Sequence, residues 1–295
     1  MIDLHTHSSA SDGDFSPELL IQEAAKKGIS AIALTDHDTL SGLKTAEKEA
    51  KAVGIRFIPG IEISINWPGC TSRTAPTARA ADTPGLGPGG EFHLLGLGIQ
   101  SPSPAFLAAI DALSRRREAR NREMLNRMNE LGFEAAWEDI PALADSHSIG
   151  RPHFANLLVK KKIVKNSEQA FAHYLKPGKP LFVPKTGLDF VEAVTLIRES
   201  GGISVLAHPM SLYVAWGRLP ELIKALKTRG LMGIEAWHPT AKTNSCRRLE
   251  KLGKELALYV TEGSDFHGSF RPYRQLGYSS RDRKINNAIL EALPI

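Results

Sequence analysis

Near its start the chain reads Asp3-Leu4-His5-Thr6-His7. Further along come Thr35-Asp36-His37-Asp38, Gly60-Ile61-Glu62, Phe92-His93, Ala207-His208-Pro209 and Ser264-Asp265-Phe266-His267. Imidazoles and carboxylates suit first-row divalent metals, and each group lies in or ends a short apolar run that reads as a strand. Alternate side chains of an extended chain share a face, so His5 and His7 can grip one ion. A lone His-x-His is a weak sign. Several His/Asp strand ends in one chain say more, because a parallel barrel gathers its strand C-termini around one cavity. With Asp12 from the first loop, the candidate ligands are His5, His7, Asp12, His37, Glu62, His93, His208, Asp265 and His267. One tetrahedral ion takes about four ligands, so this surplus points to two or three ions sharing a bridging carboxylate, with Glu62 as the bridge.

The elements that must carry these groups follow from periodicity. Strands are expected near Ile2–His7, Ala31–Thr35, Phe57–Ile65, Phe92–Ile99, Ile203–Ala207, Met232–Trp237 and Leu258–Glu262. Helices near Pro17–Lys27, Ser41–Val53, Asp189–Ser200, Leu219–Thr228 and Thr243–Glu255 alternate with most of them. That alternation describes an α/β protein, and seven strands suit a distorted (β/α)7 barrel better than the usual eight-stranded one.

Two stretches break the alternation. Residues 68–90, rich in Gly, Pro, Thr and Ala, read as a mobile loop. With no helix between strands three and four, an antiparallel hairpin is the simplest joining, and it makes Glu62 and His93 cross-strand neighbours. Residues 104–184 read as a helical insertion. It opens on a long helix carrying Phe106, Ile110, Leu113, Leu125, Met128 and Leu131, and shorter helices follow between Trp137 and Leu175. The barrel then comprises 1–103 and 185–295, and the insertion, at the rim where such segments build substrate pockets, forms part of the pocket.

Charge follows the same division. From Pro104 to Thr186 there are 14 Lys/Arg against 9 Asp/Glu, the whole of the chain's +5 excess. The bland reading is a solvated helix surface; the sharper one is attraction of an anionic substrate. At 295 residues, 42% hydrophobic and 23% charged, the chain is neither disordered nor fibrous. Cys70 and Cys246 lie far apart with no Cys-x-x-Cys pattern, which argues against a disulfide framework or a thiolate zinc site. There is no leader-like start and no apolar run near the ~20 residues that span a bilayer, so the expectation is a cytoplasmic protein with no membrane association and no stable protein partner.

In these residues the sequence resembles the PHP (polymerase and histidinol phosphatase) superfamily of metal-dependent phosphoesterases. The opening Asp-x-His-x-His-Ser, Thr-Asp-His-Asp, Gly-Ile-Glu, Phe-His-x-x-Gly, Ala-His-Pro and Gly-Ser-Asp-Phe-His stand in that family's order over essentially the whole chain. Gly150-Arg151-Pro152-His153-Phe154-Ala155 and Gly178-Lys179-Pro180 look like the subgroup acting on nucleotides, whose members dephosphorylate nucleoside 3′,5′-bisphosphates or trim short RNA from the 5′ end. The resemblance implies a PHP-type barrel and three ion sites. His5, His7, Glu62 and Asp265 hold the first ion, Glu62, His93 and His208 the second, and Asp12, His37 and His267 the third. Asp12 stands where family members often carry His, and the 68–90 loop is longer than the family's tight joining.

The chemistry expected of that set is hydrolysis by a hydroxide bridging two of the ions, which Glu62 helps to hold, with Mn²⁺, Fe²⁺ or Zn²⁺ as cofactors. No Ser or Cys nucleophile stands in a recognisable elbow. Arg151 can take a second phosphate in bidentate fashion, Lys179 and Lys185 add positive charge, and His153 faces substrate. His238, at the end of strand six, is the candidate acid for the leaving group, and Asp36 an orienting neighbour. Tyr273 and Phe266 are stacking candidates, though isolated aromatics are more often core. The expected substrate is a nucleoside 3′,5′-bisphosphate, with 5′-to-3′ degradation of short RNA as the alternative. Histidinol phosphate hydrolysis leaves Arg151 and Lys179 unexplained, and an inactive metal- or nucleic-acid-binding scaffold is disfavoured because no ligand is missing.

Overall fold

The computed structural model describes residues 1–66, 90–140, 149–280 and 283–295. The expected 68–90 loop, apart from Gly90, lies outside the described residues, as does Cys70.

Seven strands stand side by side in chain order: β1 (Ile2–Asp3), β2 (Ala31–Leu34), β3 (Arg56–Ser64), β4 (His93–Leu97), β5 (Ile203–Leu206), β6 (Gly233–Trp237) and β7 (Tyr259–Glu262). Neighbours are parallel except around β4, which runs against both β3 and β5. The antiparallel pairing expected of strands three and four is therefore present. Its register sets Glu62 opposite Leu95 and Ser64 opposite His93, so Glu62 and His93 are diagonal rather than direct neighbours. A short hairpin, β8 (Tyr278–Ser280) and β9 (Arg283–Lys284), follows the barrel.

β1 ends at Asp3 instead of running to His7. The buried Asp3 carboxylate accepts the backbone N–H groups of His5 (3.3 Å), Ser264 (3.0 Å) and Gly277 (2.8 Å), and the chain bends at Leu4. Pairing resumes at the rim: Asp265 N–H donates to His5 O (2.8 Å), His7 N–H to Phe266 O (2.9 Å), and Thr6 bridges Phe266 in parallel. The barrel thus closes through the very residues that carry candidate ligands. At the other end Ile2 N–H donates to Ile285 O (3.2 Å), and Ile285, Leu290 and Leu293 of the C-terminal segment pack in the same apolar cluster as Ile2 and Leu4.

The helices are α1 (Pro17–Lys26), α2 (Leu43–Val53), α3 (Pro104–Glu130), α4 (Arg151–Lys160), α5 (Ser167–Ala170), α6 (Phe190–Glu199), α7 (Leu219–Thr228), α8 (Thr243–Glu255) and α9 (Ala288–Glu291). Their ends follow from local chemistry. Ser16 Oγ accepts Leu19 N–H before Pro17 opens α1, Asp189 accepts Val191 and Glu192 N–H before α6, and Gly54 closes α2 at φ +76°. Strand β2 shows why the layers pack. Ala31 and Ala33 join Ile2, Leu4, Leu95 and Val205 inside the barrel, while Ile32 and Leu34 pack outward on Leu20, Ile21 and Ala46 of α1 and α2. Each buried Leu or Ile contributes roughly 1.5–3 kcal/mol.

The chain folds as two compact units, Met1–Ile110 with Gly187–Ile295, and Asp111–Thr186. The barrel lies in the first, and α3 begins there and continues into the second. The second unit has its own apolar core of Met124, Met128, Ile140, Phe154, Leu157, Leu158, Leu175 and Leu181. Of the residues expected on α3, Phe106, Leu113 and Met128 are buried, with Asn121 and Met124 beside them, whereas Leu131 falls beyond the helix end and is exposed. The basic surface of α3 is partly matched by its own acids. Arg115 pairs with Asp111, Arg122 with Glu118 and Arg127 with Glu123, each one turn apart. No described helix is long and apolar enough to cross a membrane.

Candidate metal centre

All the candidate ligands belong to the first unit, and their nitrogens and oxygens converge. His5 Nε2 and His7 Nε2 stand 3.1 Å apart. Glu62 Oε2 lies 3.3 and 3.2 Å from them, and Asp265 Oδ1 3.5 and 3.2 Å. The other oxygen of the same carboxylate, Glu62 Oε1, lies 2.9 Å from His93 Nδ1 and 2.8 Å from His208 Nε2, while Oε2 also faces His37 Nδ1 at 3.0 Å. Asp12, beside these, has Oδ1 at 3.2 Å from His267 Nε2 and 3.7 Å from His7 Nδ1, with Oδ2 at 3.8 Å from His37 Nε2. By ligand-atom spacing the tight groups are His5, His7, Glu62 and Asp265; His37, Glu62 and His93; and His7, Asp12, His37 and His267. His37 takes the place that the family pattern gives His208 in the second group, although His208 also touches Glu62.

This arrangement fits divalent ions. Metal–nitrogen and metal–oxygen bonds of about 2.1 Å put adjacent ligand atoms roughly 3.0–3.4 Å apart, the spacing seen here. Moreover, Glu62 Oε2, His93 Nδ1 and His267 Nε2 are fully buried and make no hydrogen bond despite their close neighbours. Buried polar atoms left without hydrogen bonds are costly, and coordination would use their lone pairs.

The surroundings fix ring orientation. His5 Nδ1 faces Glu235 Oε1 at 2.9 Å, His208 Nδ1 faces Ser211 Oγ at 2.6 Å, and His267 Nδ1 faces the Asp265 carbonyl at 2.8 Å. Ser211 Oγ itself donates to Glu91 O, so it accepts from His208. In each ring the Nδ1 hydrogen is thereby directed outward and the Nε2 lone pair inward, the tautomer that metal ligation requires. Asp265 is divided likewise. Its Oδ2 takes Arg274 and, at 3.0 Å, His238 Nε2, which leaves Oδ1 to face His5 and His7. The backbone is strained at two candidate ligands, with φ +27° at His208 and +50° at Asp265.

Electrostatics couples the set. Burial alone would raise Glu62, but His37, His93 and His5 hold its carboxyl well below the ordinary range. Asp265 is lowered in the same way, against burial, by Arg274, His5 and His267, and Asp12 by His267 and His37. Burial opposes charge on His7 too, yet Asp265 and Glu62 lift it to about 9. His5 rises well above its usual value, burial being outweighed by Glu235, Glu62 and Asp265.

Sequence reasoning missed Glu235 and Arg274 and gave no role to Asp3; all three are buried. A signal existed for Glu235 in a single carboxylate within the apolar run Gly233–Trp237. Asp36 accepts Ser8 N–H (2.8 Å) and Ser8 Oγ–H (2.7 Å), so it holds the loop leading to Asp12. His238 is engaged on both sides, by Asp265 and by Thr240 Oγ1 (2.8 Å), and burial lowers its pKa; it stands behind Asp265. Phe266 packs edge-on against Phe15 in the core, whereas Tyr273 is exposed. Arg151, His153, Lys179 and Lys185 all lie in the second unit. Arg151 opens α4 with its guanidinium 5.9 Å from the Phe182 ring, and His153 Nδ1 accepts Gly150 N–H (3.0 Å), capping the same helix. Lys179 and Lys185 are exposed.

Residues 3–169 match the PHP domain family. A 5′-3′ exoribonuclease of Haemophilus influenzae is 34% identical over 90% of this chain and 89% of its own. A 3′,5′-nucleoside bisphosphate phosphatase of Chromobacterium violaceum is 31% identical over 94% of this chain and 91% of its own. Among solved structures, an amidohydrolase from Chromobacterium violaceum with bound sulfate and no metal superposes with a TM-score of 0.78 at 29% identity, covering 93% of each chain. The chain belongs to the PHP domain family and is a metal-dependent phosphoesterase.

Proposed function

We propose that this protein hydrolyses nucleotide phosphate esters in the cytoplasm, and that its substrate is the 3′-phosphate of a nucleoside 3′,5′-bisphosphate. The observation that carries the reading is the shared Glu62 carboxylate, with Oε1 between His93 and His208 and Oε2 against His5, His7 and His37. A carboxylate so divided suits two ions side by side, and Asp12, His37 and His267 make room for a third. Mn²⁺, Fe²⁺ or Zn²⁺ held there would supply Lewis acidity and an activated water.

The chain's own residues do the remaining work. Arg274 neutralises the far oxygen of Asp265, so only one oxygen faces the reacting centre. Arg271 is half-buried in the field of Asp265 and Asp12, which raises its pKa against the effect of burial, and it can take a phosphoryl oxygen. Tyr213, Phe270 and Tyr273, exposed on the segments that follow His208 and His267, offer stacking surfaces to a base. Arg151, Lys179, Lys185 and His153 of the second unit bind the second phosphate. The bisphosphate phosphatase relative supports this substrate, and the exoribonuclease relative supports a second reading, 5′-to-3′ removal of nucleotides from short RNA.

The deciding experiment incubates Mn²⁺-loaded protein with adenosine 3′,5′-bisphosphate, a short 5′-phosphorylated RNA and histidinol phosphate, with metal content measured on the same sample. Phosphate release from the bisphosphate is expected to dominate. Faster release of mononucleotides from RNA would favour the second reading, and no turnover of any substrate with Mn²⁺, Fe²⁺ or Zn²⁺ would overturn both.

A further inference from the structure

We infer that Glu235 is a positioning residue that sets two halves of the metal centre at once, a role resting on the reading that the cluster holds ions. Its side chain is 1% exposed on β6, and each oxygen has a different task. Oε1 faces His5 Nδ1 at 2.9 Å, while Oε2 accepts the backbone N–H of His208 at 2.7 Å. These partners serve different oxygens of Glu62: His5 stands by Oε2 and His208 by Oε1. Glu62 joins the two halves from inside the cluster, and Glu235 joins them from outside.

The local backbone is built around this contact. A Cβ on Gly263 would lie 2.3 Å from His5 Cβ and 2.7 Å from Glu235 Oε1, so only glycine lets the three approach. His208 adopts φ +27°, a conformation costly for a residue with a side chain, and the bond from its amide to Glu235 helps to hold it there. The two imidazoles stack at 5.8 Å between centroids with 25° between planes, so a shift of either is felt by the other. Removing the carboxylate would free the His5 tautomer and the His208 backbone together.

The test is a Mn²⁺ titration by calorimetry of chelator-stripped wild type, Glu235→Gln and Gly263→Ala, with thermal melts of the stripped proteins. Glutamine is isosteric and keeps one acceptor, yet it cannot serve both partners, so Mn²⁺ affinity should fall by roughly 10–100-fold. Gly263→Ala should give a similar loss by displacing His5 from an intact carboxylate. Wild-type affinity and stoichiometry in Glu235→Gln would overturn the inference, whatever the melting temperature, because that variant would then report core packing alone. A wild type that binds no Mn²⁺ would instead bring down the metal reading on which the inference rests.

Discussion

The two units bury different kinds of side chain. Toward its rim the barrel buries Asp3, His5, His7, Asp36, Glu62, Glu235, His238, Asp265 and Arg274, whereas in the second unit Asn121 is the only buried polar side chain among the described residues. Ionisable groups withdrawn from water cost stability unless they are paired or coordinated. The barrel therefore carries a cluster that folding by itself does not explain. The second unit is an ordinary apolar core with its charges outside.

The largest effect is expected of Glu62→Gln, which keeps the shape of the side chain and removes the charge shared by the surrounding imidazoles. Phosphoesterase activity should fall by roughly a thousandfold or more, the several kcal/mol expected of a lost metal-dependent stabilisation. Bound Mn²⁺, measured by elemental analysis, should fall with it. Full metal content and activity in the variant would mean that the buried charges serve stability alone.

Phe154→Ala attacks the other side. Phe154 is fully buried in the second unit's core, so truncation should cost about 3–5 kcal/mol there. A calorimetric melt should show that unit weakened, while Mn²⁺ binding by the barrel stays as in wild type. Loss of Mn²⁺ affinity would show that the two cores are not independent.

A milder separation comes from pH. His7 is lifted to about 9, above the 6.5 of an unfolded imidazole, so its contribution to the metal-free fold is complete below 6.5 and disappears as pH rises through 9. Glu62 and Asp265 are depressed, so they contribute above their unfolded values and lose that contribution in acid. The stripped protein should therefore lose melting temperature between pH 6.5 and 9. The Mn²⁺-loaded protein should lose less, because metal binding displaces the same protons. Equal slopes with and without chelator would contradict the coupling.

Most of the barrel was legible because its punctuation is local. Ser16-Pro17, Gly54 and Asp189 mark helix ends whatever lies around them, and the lack of a helical pattern in the sequence between strands three and four made an antiparallel pairing the simplest joining. The convergence of the candidate ligands was legible for a related reason: His and Asp at the ends of apolar runs are few and conspicuous. What sequence could not show depends on closure in three dimensions. Glu235 reads as one acid in a strand until β1 and β7 meet and bring His5 against it. Arg274 reads as one more loop arginine until it reaches the far oxygen of Asp265. The bend at Leu4 arises from Asp3 capturing amides of Ser264 and Gly277, which sit at the opposite end of the chain.

The smallest expected effects fall in the second unit, and they decide whether it discriminates among substrates. Arg151 is half-buried at the start of α4, where a planar guanidinium can take two phosphate oxygens. If it holds a second phosphate, Arg151→Ala should raise KM for adenosine 3′,5′-bisphosphate about tenfold with little change in kcat, since the contact lies away from the ester that breaks. Lys179 is exposed, so its charge is screened and Lys179→Ala should raise the same KM only two- to threefold, less at high salt. The control is phenyl phosphate, which has no second phosphate: its kcat/KM should be indifferent to either substitution. If both substrates lose equally, Arg151 supports the α4 terminus rather than the substrate. Selectivity would then have to come from the barrel's own Arg271, Phe270 and Tyr273.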